Sequence, residues 1–332
     1  MRPWHAAWLV LWPGWARAAT PMSYLQTFGP AGDPVTRLNW GLMLISIAVC
    51  VIIAALVLMG ILRRRPPLVA DAEGRLPVEK PAGGIRWIYI GVGISTVVLL
   101  ACAVWTAFTL SAVASPANKT PIEVEIDGHQ WWWGATYTGA VPSEEFVTAN
   151  EVHIPVGQPV RFKLVSTDVI HSFWVPQLGG KTDVIPGQTN YTWLQADRPG
   201  VYRGQCGEYC GAQHAHMALY VVAEPQEQFT TWKTAQLAAA NESTAPGAAV
   251  FQARCSVCHT VRGTQAHGAL GPDLTHLMSR STIAAGLLPN NAGGLSGWIL
   301  NPQALKPGTR MPPVGLQPEE LHDVVAYLQT LK

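Results

Sequence analysis

Hydrophobic and polar positions divide this chain into three regimes. In the first, Leu42–Leu62 and Trp87–Val113 run without a charged residue and carry apolar side chains on every helical face. A helix packed on a soluble core keeps a polar side, so one that is apolar all round belongs in lipid or deep inside a large protein. Each run reaches the roughly 20 residues needed to cross a hydrocarbon core. Arg63, Arg64 and Arg65 follow the first run, and Arg75, Lys80 and Arg86 occupy the stretch before the second. Basic loops stay on the cytoplasmic side. The pattern predicts a two-helix transmembrane hairpin over 21–115, with its loop inside and everything after it outside. Trp40, Trp87 and Trp105 fall near the span ends, where indoles anchor at the membrane interface.

Ahead of the hairpin, residues 1–20 read as a signal peptide: Arg2, a short apolar core over 6–12, and small residues around Ala16 and Ala19. Pro13 interrupts that core, and an amphipathic arm on the outer surface is the alternative.

The second regime, 116–224, alternates with a period of two. Ile122–Ile126, Glu151–Pro155, Val160–Leu164, Thr189–Trp193 and Ala218–Val222 are β-rich runs, punctuated by Pro155-Val-Gly157, Pro186-Gly187 and Pro199-Gly200. Short strands between turn signals predict an all-β sandwich or barrel. The pattern resembles the cupredoxins, which present metal ligands from loops at one end. The third regime is helical. A helix over 225–241 and a linker at Glu242–Gly247 make a connecting segment, 225–246. A small all-α module fills 247–332, with a helix at Ala248–Ala253 and an amphipathic closing helix at Glu319–Leu331.

Composition narrows the function. The 332 residues carry a formal net charge of only +1, so there is no basic footprint for nucleic acid. Of six cysteines, Cys50 and Cys102 lie inside the apolar runs as packing residues. The other four sit in two motifs, so no structural disulfide framework is indicated.

The first motif is Cys206-Gly-Glu-Tyr-Cys210-Gly-Ala-Gln-His214-Ala-His-Met217. Thiolates, imidazole and thioether close together select copper or a comparable soft metal. A Cys-x-x-x-Cys turn can aim both sulfurs at one point and bridge two coppers. A second imidazole is needed, and His171 is the best candidate. A zinc site and a Cys206–Cys210 disulfide are the alternatives; His216, His129 and His153 read as bystanders. The second motif, Cys255-Ser-Val-Cys258-His259, is that of covalently attached c-type haem, with His259 the proximal ligand.

Three separated segments carry a family resemblance. Ser166–Pro176 around His171, Lys181–Gly187 and the Cys206–Met217 loop occur in the order found in subunit II of haem–copper oxidases. The chain resembles that family over roughly 35–225, anchor included, with a C-terminal cytochrome fused to it. The resemblance implies a binuclear mixed-valence copper centre bridged by Cys206 and Cys210. One copper takes a histidine and Met217; the other takes a histidine and the backbone carbonyl of Glu208. Which of His171 and His214 serves which copper stays open. The Glu208 side chain would face a magnesium site shared with subunit I. Gly128-His-Gln-Trp131-Trp-Trp133 resembles the family's aromatic electron-input stretch, with Trp131 as the relay and Trp132 where a tyrosine is usual. In the cytochrome module Asn301–Pro313 resembles the axial-methionine loop of class I cytochromes c, making Met311 the sixth ligand and Met278 the competitor; Trp298 would pack near the porphyrin. His267, His276 and His322 are expected to be solvated.

Neither apolar run contains a histidine, so an oxygen-reducing haem–copper site must lie in a partner. The implied protein is the electron-input subunit of a terminal cytochrome c oxidase in a bacterial cytoplasmic membrane, with its copper and haem domains on the outer face. Its partners would be subunit I, subunit III, a c-type cytochrome or other reduced donor, and lipid. A copper-containing nitric oxide reductase and a tethered carrier with no catalytic partner are the other readings. One departure stands out: aligned on Trp87, Gly84 occupies the place of a glutamate that family members often carry near a proton-uptake path.

Overall fold

The structure is a computed structural model that describes residues 22–63, 84–240 and 244–332. The signal-peptide expectation for 1–20 lies outside the described residues, as do Arg64, Arg65, Arg75 and Lys80 of the basic loop.

Helices α1 (Asp33–Leu62) and α2 (Gly84–Ala114) contain the two apolar runs. Pro34 stands in the first turn of α1, where its missing N–H is not needed. Both helices expose apolar side chains on all faces, and Thr109 is the one buried residue between them. They touch each other closely. A Cβ built on Gly41 would lie 2.3 Å from the Trp105 ring, so the glycine gives that indole room to pack against α1.

Beyond the helices lies a β-sheet head with strands β1 (Ile122–His129), β2 (Trp132–Tyr137), β3 (Phe146–Ala149), β4 (Glu151–Pro155), β5 (Val160–Ser166), β6 (His171–Trp174), β7 (Thr182–Val184), β8 (Asn190–Leu194), β9 (Gly200–Cys206) and β10 (Ala218–Glu224). They form two five-stranded sheets, in the orders β3-β2-β1-β5-β8 and β4-β10-β9-β6-β7. Alternating residues of β1, β5 and β10, among them Val124, Ile126, Phe162, Leu164, Leu219 and Val221, are buried in one core. The head is tied to both helix ends. Phe28 N–H donates to the Gln177 carbonyl at 2.8 Å, and Trp193 Nε1 donates to the Val113 carbonyl at 2.9 Å.

Each run expected to be β falls on a strand; β1 runs three residues past the expected Ile126, and the other four agree within two residues at each end. β2, β3, β6, β7 and β9 were not anticipated. Several are short, and Gly134 and Ala135 dilute the alternation of β2, whose residues are buried on both sides at 133–135.

Helix α3 (Gln226–Leu237) packs Phe229 and Trp232 against the head and stops short of the expected 241. Its last turn gives way to extended Ala238, and Ala240 N–H then pairs with the Arg262 carbonyl. The helical module follows with α4 (Pro246–Arg254), α5 (Ala292–Leu300), α6 (Pro302–Leu305) and α7 (Pro318–Leu328). Phe251, Leu295, Ile299, Val324 and Leu328 form its core. His276 is not solvated as expected. It is buried, with its ring nitrogens 2.7 and 2.9 Å from the carbonyls of Lys332 and Ala238, because it closes the module's end against the incoming linker.

Candidate metal centre and haem cavity

The sheet order brings β6 beside β9, with Phe173 opposite Cys206. That pairing carries His171 to the start of the 206–217 loop. Cys206 N–H donates to the Met217 carbonyl at 3.0 Å and closes the loop on itself, and Gly211 (φ +117°) supplies the reversal within it. Cys206 Sγ and Cys210 Sγ are 3.8 Å apart and unbonded. His171 Nδ1 lies 3.9 Å from Cys206 Sγ, His214 Nδ1 3.6 Å from Cys210 Sγ, and Met217 Sδ 3.8 Å from Cys210 Sγ. The Glu208 carbonyl oxygen is 3.2 Å from Cys206 Sγ. His171, Cys206, Cys210 and Met217 are buried, and His214 is half-buried.

The orientation of His171 is set from behind. Its Nε2–H donates to Asp168 Oδ1 at 2.9 Å, which turns Nδ1, the atom a metal would use, toward the sulfurs. Asp168 also accepts from the backbone N–H groups of Gln130 and Val169. Burial works against its charge, but these bonds hold its carboxyl below the usual value. Of the two thiols, Cys206 is pushed down, first by its hydrogen bond with Cys210, against burial, and then by His171. Cys210 is pushed up by Cys206, by burial and by the neighbouring charge. A metal is bound by thiolates, so its binding displaces the protons of the pair. The donor set fits a binuclear copper centre: two soft sulfurs that can bridge, two imidazoles, a thioether and a carbonyl. A single tetrahedral zinc has no use for the last two.

In the helical module, Cys255, Cys258, His259 and Met311 line a cavity of about 330 Å³, together with Trp298 and Leu295. His259 Nδ1–H donates to the Pro272 carbonyl at 2.8 Å, so Nε2 is left as the acceptor. Burial pushes the His259 pKa down and favours the neutral ring that a ligand must be. A Cβ on Gly271 would sit 2.6 Å from the His259 ring; glycine is what lets the Gly271-Pro272 turn hold it. Arg280 also lines the cavity. Its buried guanidinium donates to the Asp273 carbonyl, while Nε has no partner. A cavity with paired thiols, a neutral imidazole, a thioether and a spare buried cationic donor fits a porphyrin that carries carboxylates. Met278 packs in the module core and is not among the cavity-lining residues, whereas Met311 is.

Trp131 lies between the two sites. It lines the haem cavity, is only 8% exposed, and donates from Nε1 to the Cys210 carbonyl at 3.0 Å. Trp133 Nε1 points to the Met217 carbonyl at 3.4 Å from the other side of the loop. The remaining candidates separate cleanly. Glu208 forms an exposed ion pair with Lys181. His153 is buried against Glu224, Glu151 and the Trp232 ring. His129 stacks on Trp132, and His216, His267 and His322 are exposed. Sequence reasoning missed Asp168, Arg280 and Trp133 as supporting residues. Asp168 stood three positions before His171 in a segment already singled out, while Arg280 had no local signal.

These features define a redox subunit: two apolar helices, a cupredoxin-like head with a soft-ligand cluster, and a c-type cytochrome module. Residues 142–224 match the profile of the cytochrome c oxidase subunit II periplasmic domain, and residues 244–332 match that of cytochrome c. The chain is 34% identical to cytochrome c oxidase subunit 2 of Alkalihalophilus pseudofirmus over 93% of its own length and 91% of the relative's. It is 31% identical to that of Bacillus sp. strain PS3 over 93% and 92%. A crystal structure of the periplasmic domain of subunit II from Bradyrhizobium japonicum is 29% identical, covering 36% of this chain and 96% of that one, with a TM-score of 0.34. The chain belongs to the cytochrome c oxidase subunit II family, in the form that carries a cytochrome c domain.

Proposed function

We propose that this chain is the electron-input subunit of a terminal oxidase, taking electrons from an external reduced donor and delivering them to subunit I, where oxygen is reduced to water. One observation carries the reading: a single buried indole, Trp131, lines the haem cavity and donates to the backbone of Cys210. When bound, the haem and the binuclear copper centre supply one-electron redox chemistry in which no bonds are broken.

The chain's own residues fix where that chemistry sits. Cys255 and Cys258 would hold the haem covalently, and His259 and Met311 would ligate its iron. Cys206, Cys210, His171, His214, Met217 and the Glu208 carbonyl would together hold the two coppers. Asp168 holds the His171 tautomer, and Trp131 links the two sites. The Glu208 carboxylate, now paired with Lys181, marks the edge where a magnesium ion and subunit I would meet the head. Helices α1 and α2 span the bacterial cytoplasmic membrane, so both redox modules stand on the outer face. Subunit I, and subunit III with it, would dock along the hairpin.

The test is purification from membranes in mild detergent. The expected material contains copper and covalent haem, copurifies with a polytopic histidine-rich protein, and consumes oxygen on a reduced donor. The Cys206→Ser variant should assemble but lose turnover. Undiminished turnover in that variant would overturn the reading.

A further inference from the structure

Lys306 is the most deeply buried lysine of the described residues, at 1% exposure, and it lies far in sequence from what it touches. Its Nζ donates to the Trp131 carbonyl across the module boundary at 2.7 Å and to the Ala284 carbonyl at 3.1 Å. Among the described residues no carboxylate pairs with it. Burying an ammonium without a counterion is unfavourable, and its pKa is pushed down by burial to about 8. A lysine serving only to fill the module's core would be replaced by a methionine with no loss.

The surroundings are built around the same seam. Gln213 Nε2 donates to the Pro307 carbonyl at 2.7 Å, and Ala218 N–H donates to the Ala285 carbonyl at 3.1 Å. Arg310 reaches Asp168 at 3.3 Å, and Ser281 donates from its backbone N–H to Glu151 at 3.0 Å. Ala284 and Ala285 both adopt the left-handed conformation (φ +54° and +60°). Non-glycine residues adopt it only against the steric clash of their Cβ. Here the two carbonyls so turned are the ones that Lys306 and Ala218 use.

We propose that Lys306 is a positioning residue that clamps the cytochrome module onto the copper head through the Trp131 backbone, so that the bridge between the two sites is a fixed interface and not a transient encounter. This rests on the functional reading above.

The first test needs no variant. The metal-loaded full chain is treated with an amine-reactive reagent, and lysine modification is followed by peptide mass spectrometry. With the clamp closed, Lys306 is modified far more slowly than the exposed Lys119 and Lys332. With the clamp open its amine would be as accessible as theirs, so modification at their rate overturns the proposal. The second test compares the wild-type complex with Lys306→Met, following haem reoxidation and copper reduction after a rapid one-electron pulse. The variant should slow transfer between the sites on the order of tenfold, because a docked pair becomes a tethered search. Its haem spectrum, metal content and rate of reduction by the external donor should be unchanged. Equal transfer rates in the two proteins overturn the clamp alone. A wild-type complex whose haem never passes an electron to copper overturns the functional reading, and the clamp with it.

Discussion

At the scale of single residues, hydrogen bonds set the chemistry more than bulk burial does. Asp168 fixes which nitrogen of His171 faces the sulfurs. Partners placed behind a metal-bound histidine typically contribute 10–100-fold in metal affinity, so Asp168→Asn should lose copper by about that factor. Elemental analysis should show haem content unchanged. Retention of copper at wild-type affinity would mean that the loop alone orients the ring. Glu151 gives a pH prediction. Burial raises its pKa, but hydrogen bonds from His153 and Ser281 carry it below the ordinary 4.5. A carboxyl whose folded pKa is lowered stabilises the fold above its unfolded value, and that stability is lost as pH falls through the folded value. Thermal midpoints should therefore drop as pH is lowered past about 4.5, and Glu151→Gln should flatten that drop. Parallel curves for the two proteins would remove Glu151 from the account.

At the scale of elements, what was legible in the sequence was what lies close along the chain. The 206–217 loop, the Cys255–His259 motif and the apolar runs each carry their meaning within a few turns of backbone. His171 was found because its strand neighbours formed a recognisable segment. Lys306 and Arg280 were not, because their roles come from burial against residues far away; Lys306 meets Trp131 only once the two modules fold against each other. The missed strands have the same cause. β6 and β7 are short, and they are strands because β9 stands beside β6, not because their residues alternate. The sheets in turn hold the copper loop. Leu164 on β5 is fully buried, and Leu164→Ala should cost about 2–5 kcal/mol. Denaturant unfolding should show an earlier transition for the head, read by tryptophan fluorescence. An unchanged midpoint would mean that the core collapses around the gap.

At the scale of the whole molecule, the head is tied to the helix ends beneath it and to the cytochrome module beside it. Phe28, Val113 and Trp193 make the first junction. Lys306, Gln213 and Glu151 make the second. On the proposed function, a chain joined in this way would act as one relay standing on the membrane. Protease added to intact spheroplasts should release the head and cytochrome module together while α1 and α2 stay with the lipid. Protection of both modules would reverse the proposed orientation.

The claim on which all of this depends is that electrons cross from the haem cavity to the sulfur cluster. It is tested most directly by reducing the haem of the purified complex with a submicrosecond one-electron pulse and following both sites optically. The expected result is haem reoxidation and copper reduction with one shared time constant, lost in Cys206→Ser. A haem that stays reduced while the coppers are oxidised, or coppers that fill at a rate independent of the haem, would contradict it.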